Sequence, residues 1–252
     1  MQYTEKFTGK AEMYDKFRPE YPKALYDYLY EGCGLTANSA IADIGAGTGR
    51  FSHPFLKRGS TVYAVEPNTD MRRKAEASFA GFANHRSVNA PAEHTGLTDG
   101  SIDLVAAAQA FHWFDQAAFQ TECRRILRPN GLVLLVWNTA QATDVRLIAL
   151  SAIKAKFCPL FSGQSGGMTA QADSTLKTFF LNGVYQSFAF DNPLFHTCDS
   201  FIGANLSSSY ALNPDDAGYD DYLSALRGLF DTYSQSGVLE MPNVANAYIG
   251  KV

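Results

Sequence analysis

Between Ile41 and Arg50 the chain reads Ile-Ala-Asp-Ile-Gly-Ala-Gly-Thr-Gly-Arg. A short apolar run enters a loop with glycines at alternate positions, and a helix-forming segment follows. Glycine lets a backbone turn tightly and approach a ligand closely. A helix behind such a loop offers free N–H groups at its N-terminus. A second apolar run, Thr61 to Val65, ends in Glu66. An acid closing the next strand is placed to accept both hydroxyls of a ribose. The set describes a nucleoside-bearing cofactor laid across the carboxyl ends of parallel strands.

Two details narrow the cofactor. A dinucleotide loop has a small residue at the sixth position of G-x-G-x-x-G/A, but here that place is Arg50 and the third glycine comes one position early. Asp43 stands just before the loop. A carboxylate there disfavours a pyrophosphate and suits a cationic ligand, such as S-adenosylmethionine with its ammonium and sulfonium. The run Asp43-Ile44-Gly45-Ala46-Gly47-Thr48-Gly49 resembles the first motif of class I S-adenosylmethionine-dependent methyltransferases, and Glu66 resembles their ribose-binding acid.

A second resemblance lies upstream. Tyr14-Asp15-Lys16-Phe17-Arg18-Pro19-Glu20-Tyr21-Pro22 is similar to the lead-in of small-molecule enzymes with methyltransferase type 11 domains and of trans-aconitate methyltransferase-like proteins. Ala110-Phe111-His112-Trp113-Phe114 and Ser207-Ser208-Ser209-Tyr210 fit the same group. The resemblance implies a cofactor site of Tyr14, Arg18, Asp43, Gly45, Ala46, Gly47, Gly49, Glu66, Pro67, Met71, Ala92, Glu93, Gln109, Ala110 and Phe111. Met71 either packs beneath adenine or belongs to the core. Tyr14 and Arg18 either close over the cofactor or serve as a core tyrosine and a surface charge. Trp113 and Tyr210 are expected at the acceptor. His112 falls near the transferring methyl group, as a general base or as a residue that only shapes the site.

Methyl transfer from a sulfonium is an in-line displacement that demands positioning more than proton transfer. The expected acceptor is a small molecule, methylated at a carboxylate or hydroxyl oxygen. A carboxylate needs no base, whereas a phenol or amine would call on His112. Neither the N/D-P-P-Y/F run of amino-methylating nucleic-acid enzymes nor the Pro-Cys pair of cytosine-carbon enzymes is present; Cys158-Pro159 has the reverse order. The competing readings are a non-catalytic S-adenosylmethionine-binding module and an NAD(P)-dependent oxidoreductase, and Arg50 speaks against the latter.

Composition bounds these readings. The 252 residues suffice for one large domain, and a net charge of −4 argues against a nucleic-acid partner. No run approaches the ~18 apolar residues of a membrane span, and Met1 to Lys6 lacks a signal-peptide pattern. Cys33, Cys123, Cys158 and Cys198 lie far apart, and neither they nor the five histidines show metal-ligand spacing. A cytoplasmic protein with reduced thiols and no metal is expected, as monomer or homodimer.

The elements that must position these residues alternate. A helix opens at Pro22 and stops at Gly32. Strands are expected near 40–44, 61–66, 86–89, 101–108 and 132–137, with helices after Gly49, near 68–79 under an Asn68 cap, and after Asp115. Arg128-Pro129-Asn130-Gly131 reads as a turn. Beyond it a helix is expected at 143–157, a mobile loop at 162–167, a strand at 184–190, helices at 199–208 and 214–234, and a last strand at 243–251. Alternation implies an α/β, doubly wound and mostly parallel sheet, seven-stranded in the resembling class. A single domain is expected: 1–39 as N-terminal lid and helix, 40–138 as cofactor core, and 139–252 as cap elements and last strands.

Overall fold

The computed structural model describes residues 19–141, 143–161, 163, 172–208 and 210–252. In chain order these form α1 (Lys23–Glu31), β1 (Ala40–Ile44), α2 (His53–Lys57), β2 (Thr61–Val65), α3 (Thr69–Ser78), β3 (His85–Val88) and β4 (Ile102–Ala108). A 3₁₀ turn at Phe111–Trp113 leads to α4 (Gln116–Ile126), β5 (Leu127–Ala140), α5 (Val145–Phe157), α6 (Ala172–Phe179) and β6 (Gln186–Asp191). Then come β7 (Leu194–His196), α7 (Cys198–Leu206), α8 (Tyr219–Tyr233), β8 (Leu239–Met241) and β9 (Asn243–Gly250).

Seven strands form one sheet in the order β3-β2-β1-β4-β5-β9-β6. The pairs from β3 through β5 are parallel, and β9 runs antiparallel between β5 and β6. This is the expected doubly wound α/β sheet with seven strands. Its central strands are buried on both faces, as parallel strands covered by helices must be. Ala42, Ile44, Val133, Leu135 and Trp137 pack on one side, and Ile41, Leu104, Leu134 and Val136 on the other. Alternation along each strand sends successive side chains to opposite layers.

Local chemistry fixes the helix starts. Asn68 Oδ1 accepts from the Met71 amide at 3.0 Å, and Asp115 Oδ1 accepts from the Ala117 and Ala118 amides at 3.1 and 3.0 Å. These are N-caps that satisfy otherwise unpaired donors. Pro54 falls in the first turn of α2, where its missing N–H costs nothing.

Two expectations are corrected. Arg128–Gly131 is not a turn but the opening of the long strand β5. Pairing steps from Ile102–Leu127 to Leu104–Leu132, so the four residues sit in a register irregularity. Arg128 Nη1 spans it with a 2.7 Å pair to Asp103, and a Cβ at Gly131 would meet Leu127 Cδ2 at 2.7 Å. Cross-strand pairing thus outweighs the turn-forming composition. Helix α6 and the two-stranded sheet β7–β8 are additions to the expected elements. The strands span three residues each, too short for an alternating pattern to show. Apart from Gly163, the expected 162–167 loop lies outside the described residues.

A third apolar cluster stands apart from the sheet. Leu150 and Cys158 pack with Phe201, Tyr222, Leu226, Leu239 and Met241, joining α5, α7, α8 and β8 into a cap.

Candidate functional site

Asp43, the penultimate residue of β1, is almost wholly buried, at 1% exposure. Ser52 Oγ donates to its Oδ2 at 2.7 Å, while Oδ1 is buried without a hydrogen-bond partner. Burial pushes the Asp43 carboxyl up to about 7, the Ser52 bond pulls it down, and the Glu66 charge pushes it up. A buried acceptor without a donor is costly, and a cationic or hydrogen-bonding ligand is what would satisfy it.

The glycine loop is tied to the next strand. The Gly45 and Ala46 amides both donate to the Val65 carbonyl, at 2.9 and 3.1 Å. Gly47 donates to Glu66 Oε2 at 2.9 Å, and the Asn68 amide donates to Oε1 at 2.8 Å. Each carboxylate oxygen keeps a further lone pair, which suits a diol. Burial raises the Glu66 pKa against these backbone bonds. Gly45 has φ +69, and a Cβ there would lie 2.6 Å from Ala110 Cβ. Gly47 has φ +56, and a Cβ there would meet nothing within 4 Å. The loop is therefore closed on the protein side at Gly45 and open at Gly47.

At the end of β4, Gln109 takes a left-handed φ of +57, a sparsely populated conformation for a residue with a side chain. Its amide donates to the Val136 carbonyl at 2.9 Å, and its Nε2 donates to the Asn138 carbonyl at 3.0 Å. Both bonds lock the end of β4 to β5.

A cavity of about 280 Å³ runs from these strand ends to the cap. Asp43, Gly45, Ala46, Gly47, Thr48 and Gln109 line its floor, and Leu150, Lys154, His196, Phe201, Asn205 and Tyr210 line the cap side. Thr48 Oγ1 is buried there without a partner. The cavity thus brings together Asp43, the glycine loop, Gln109 and Tyr210 from the residues expected in the sequence.

Other expected residues lie elsewhere. Glu66, Pro67 and Met71 stand at the end of β2 and the start of α3; the Pro67 carbonyl accepts from Arg72 Nη1 at 3.3 Å, and Met71 is buried. Gly49 packs so closely under Phe79 that a Cβ would overlap the ring. Ala92 is buried, and Glu93 Oε1 accepts from the Asp115 amide at 2.8 Å, tying the loop after β3 to the start of α4. Ala110 backs Gly45. The Phe111 ring is core, 4.8 Å from Phe179 and 6.1 Å from Phe119 and Trp137. The Trp113 ring lies 4.7 Å from His112, tilted at 45°. Neither His112 nor Trp113 is among the residues lining the cavity. His112 Nδ1 faces the Trp137 indole N–H at 3.4 Å, so Nδ1 is the acceptor and the ring hydrogen sits on Nε2. Tyr14 and Arg18 lie outside the described residues.

Sequence reasoning missed Asn138, Lys154, His196 and Asn205. Asn138, close to the end of β5, was within reach of the strand-end argument used for Gln109. The other three belong to cap elements whose placement over the sheet has no local sequence signal.

Residues 42–135 match the family model described as a methyltransferase domain. An uncharacterised methyltransferase of Mycobacterium tuberculosis is 37% identical over 133 residues, 53% of this chain and 52% of the relative. The chain spans about half the length of the curated relatives it matches. The solved structure of a candidate type II methyltransferase from Anaeromyxobacter dehalogenans is 24% identical and covers 93% of this chain and 98% of its own, with a TM-score of 0.68. A geranyl diphosphate methyltransferase solved with S-adenosylmethionine is 14% identical, covering 91% and 85%, with a TM-score of 0.50. The seven-stranded sheet has the class I methyltransferase fold, and residues 42–135 within it match the methyltransferase domain. The chain is similar to methyltransferases in residues 42–135 and in its fold.

Proposed function

We propose that the chain transfers a methyl group from S-adenosylmethionine to an oxygen of a small molecule. The observation that carries the donor half is the buried, unpaired Asp43 Oδ1 beside a glycine loop that is open at Gly47. When bound, S-adenosylmethionine supplies a methyl group already activated on a sulfonium. Asp43 and Thr48 meet the polar, cationic end, Gln109 fixes the floor, and Glu66 takes the ribose hydroxyls. Met71, Ala92 and Glu93 flank the adenine.

The cavity supports a small acceptor. At about 280 Å³ it suits a compact ligand, and cap residues line its far side. A net charge of −4 offers little to a polyanion. No helix among the described residues is long and apolar enough to cross a membrane. The four cysteines are free, which supports a reducing, cytoplasmic setting.

Calorimetry tests the reading. S-adenosylmethionine and its demethylated product should bind, and NAD and NADP should not bind comparably. Preference for a dinucleotide would overturn it. Cofactor binding with no methyl transfer to any acceptor in a broad library would favour a non-catalytic module instead.

A further inference from the structure

Two basic side chains line the cap half of the cavity, and among the described lining residues of that half there is no carboxylate. Lys154 comes from α5. Its Nζ stands 5.6 Å from the centroid of the Tyr210 ring, and no ion pair within 4.0 Å is formed by its ammonium among the described residues. Lys154 is partly buried, and an aromatic face is only a weak partner for its ammonium. An anion entering the cavity would complete it. Leu150, Phe201 and Met241 form apolar wall around it.

His196 comes from β7. Ser200 Oγ lies 3.4 Å from its Nδ1 and donates its own hydrogen to the Thr197 carbonyl at 3.1 Å. With that hydrogen engaged, Ser200 Oγ is an acceptor towards the ring, so Nδ1 carries the hydrogen and Nε2 keeps its lone pair. Burial lowers the His196 pKa, which keeps the ring neutral at pH 7. The arrangement is the reverse of His112, whose Nδ1 accepts.

We infer that the acceptor is a hydroxy acid with a compact apolar or aromatic body, its acid group held by Lys154 and its hydroxyl proton taken by His196 Nε2. The inference rests on the methyltransferase reading above. In the step, the hydroxyl oxygen forms a bond to the methyl carbon, and the carbon–sulfur bond breaks. Its electron pair remains on sulfur, leaving a neutral thioether. The hydroxyl proton passes to Nε2, giving an imidazolium that later releases it to water.

The test uses 4-hydroxybenzoate, 3-hydroxybenzoate and 6-hydroxyhexanoate, each beside its primary amide and its amine counterpart in which an aminomethyl group replaces the acid. Binding is measured by calorimetry on protein loaded with the demethylated cofactor, and transfer by radiolabelled methyl incorporation with the product's ether or ester identified. At least one acid should bind and yield a methyl ether, with its amide and amine at least 10-fold weaker. Lys154→Met should raise the Kd and KM of that acid at least 10-fold and leave cofactor binding unchanged. His196→Asn should keep acid binding but lower kcat about 100-fold or more, the scale of general-base catalysis. A nitro-substituted hydroxybenzoate, already ionised at the assay pH, should lose far less in His196→Asn, because it has no proton to give. Equal use of acids and amides, an unchanged acid Kd in Lys154→Met, a methyl ester as product, or no acid bound or methylated would each overturn the inference. Loss of cofactor binding by the wild-type protein would instead overturn the underlying methyltransferase reading.

Discussion

Glu66 is joined to Gly47: the loop amide donates to Glu66 Oε2 at 2.9 Å, while the Asn68 amide holds Oε1 at 2.8 Å. One carboxylate therefore braces the glycine loop and caps the entry to α3 while keeping lone pairs for a ligand. Glu66→Ala should weaken S-adenosylmethionine binding by about 2–3 kcal/mol, the scale of charge-assisted bonds. The sheet should survive, since Glu66 lies past the last paired residue of β2 on β1. Calorimetry and circular dichroism check both halves. An unchanged dissociation constant would mean that another group holds the ribose.

Asp43 sets a pH dependence in the cofactor-free protein. Burial raises its carboxyl to about 7 against the Ser52 bond, with the Glu66 charge adding to the rise. From roughly pH 4, the unfolded value, up to about 7, the native state holds a proton that the unfolded state has lost. The unfolding free energy therefore falls as pH climbs through this window, and the whole penalty is present above it. Asp43→Asn removes the charge at nearly constant shape. Its Tm should exceed that of the parent at pH 8, with the gain shrinking towards pH 5, while cofactor affinity falls at both. A gain that is the same at both pH values would contradict the buried-charge explanation.

The left-handed Gln109 separates strain from function. Gln109→Ala keeps the φ of +57 and loses the bond to the Asn138 carbonyl, which should cost about 1 kcal/mol. Gln109→Gly loses the same bond but relieves a backbone strain of order 1–3 kcal/mol. Urea unfolding should therefore rank the glycine variant above the alanine variant, although glycine loosens the unfolded chain more. Both should bind S-adenosylmethionine less well. The opposite ranking would show that the conformation carries little strain.

Gly45→Ala should cost more than about 2 kcal/mol, combining a positive φ with overpacking. The new Cβ would stand 2.6 Å from that of Ala110. Adding Ala110→Gly should recover part of the loss, because it removes the atom in the way but not the backbone preference. Stabilities of the two single variants and the double variant form the cycle that checks this. Strict additivity would deny the contact.

The doubly wound sheet and the residues proposed for the donor were legible because their signals are local. Three glycines in a loop, an acid before it and an acid at the next strand end all act within Asp43 to Glu66. Caps such as Asn68 and Asp115 act within a single turn. The residues proposed for the acceptor were not legible, because they meet only through tertiary packing. Lys154 and His196 lie on different elements far apart in sequence, and β7 and β8 are too short to carry a period. His112 drew attention by standing after β4, yet its ring nitrogen is engaged with Trp137. Only the folded chain distinguishes it from His196.

The cap is spliced into the sheet by separate excursions: α5 leaves between β5 and β6, while β7, α7, α8 and β8 leave between β6 and β9. Neither excursion contributes a strand to the main sheet other than β6 and β9, which they connect. If the cap residues proposed for the acceptor set the preference, that preference should move with these segments. Exchanging both excursions together with those of another chain on the same seven-stranded frame should alter acceptor use and leave S-adenosylmethionine binding unchanged.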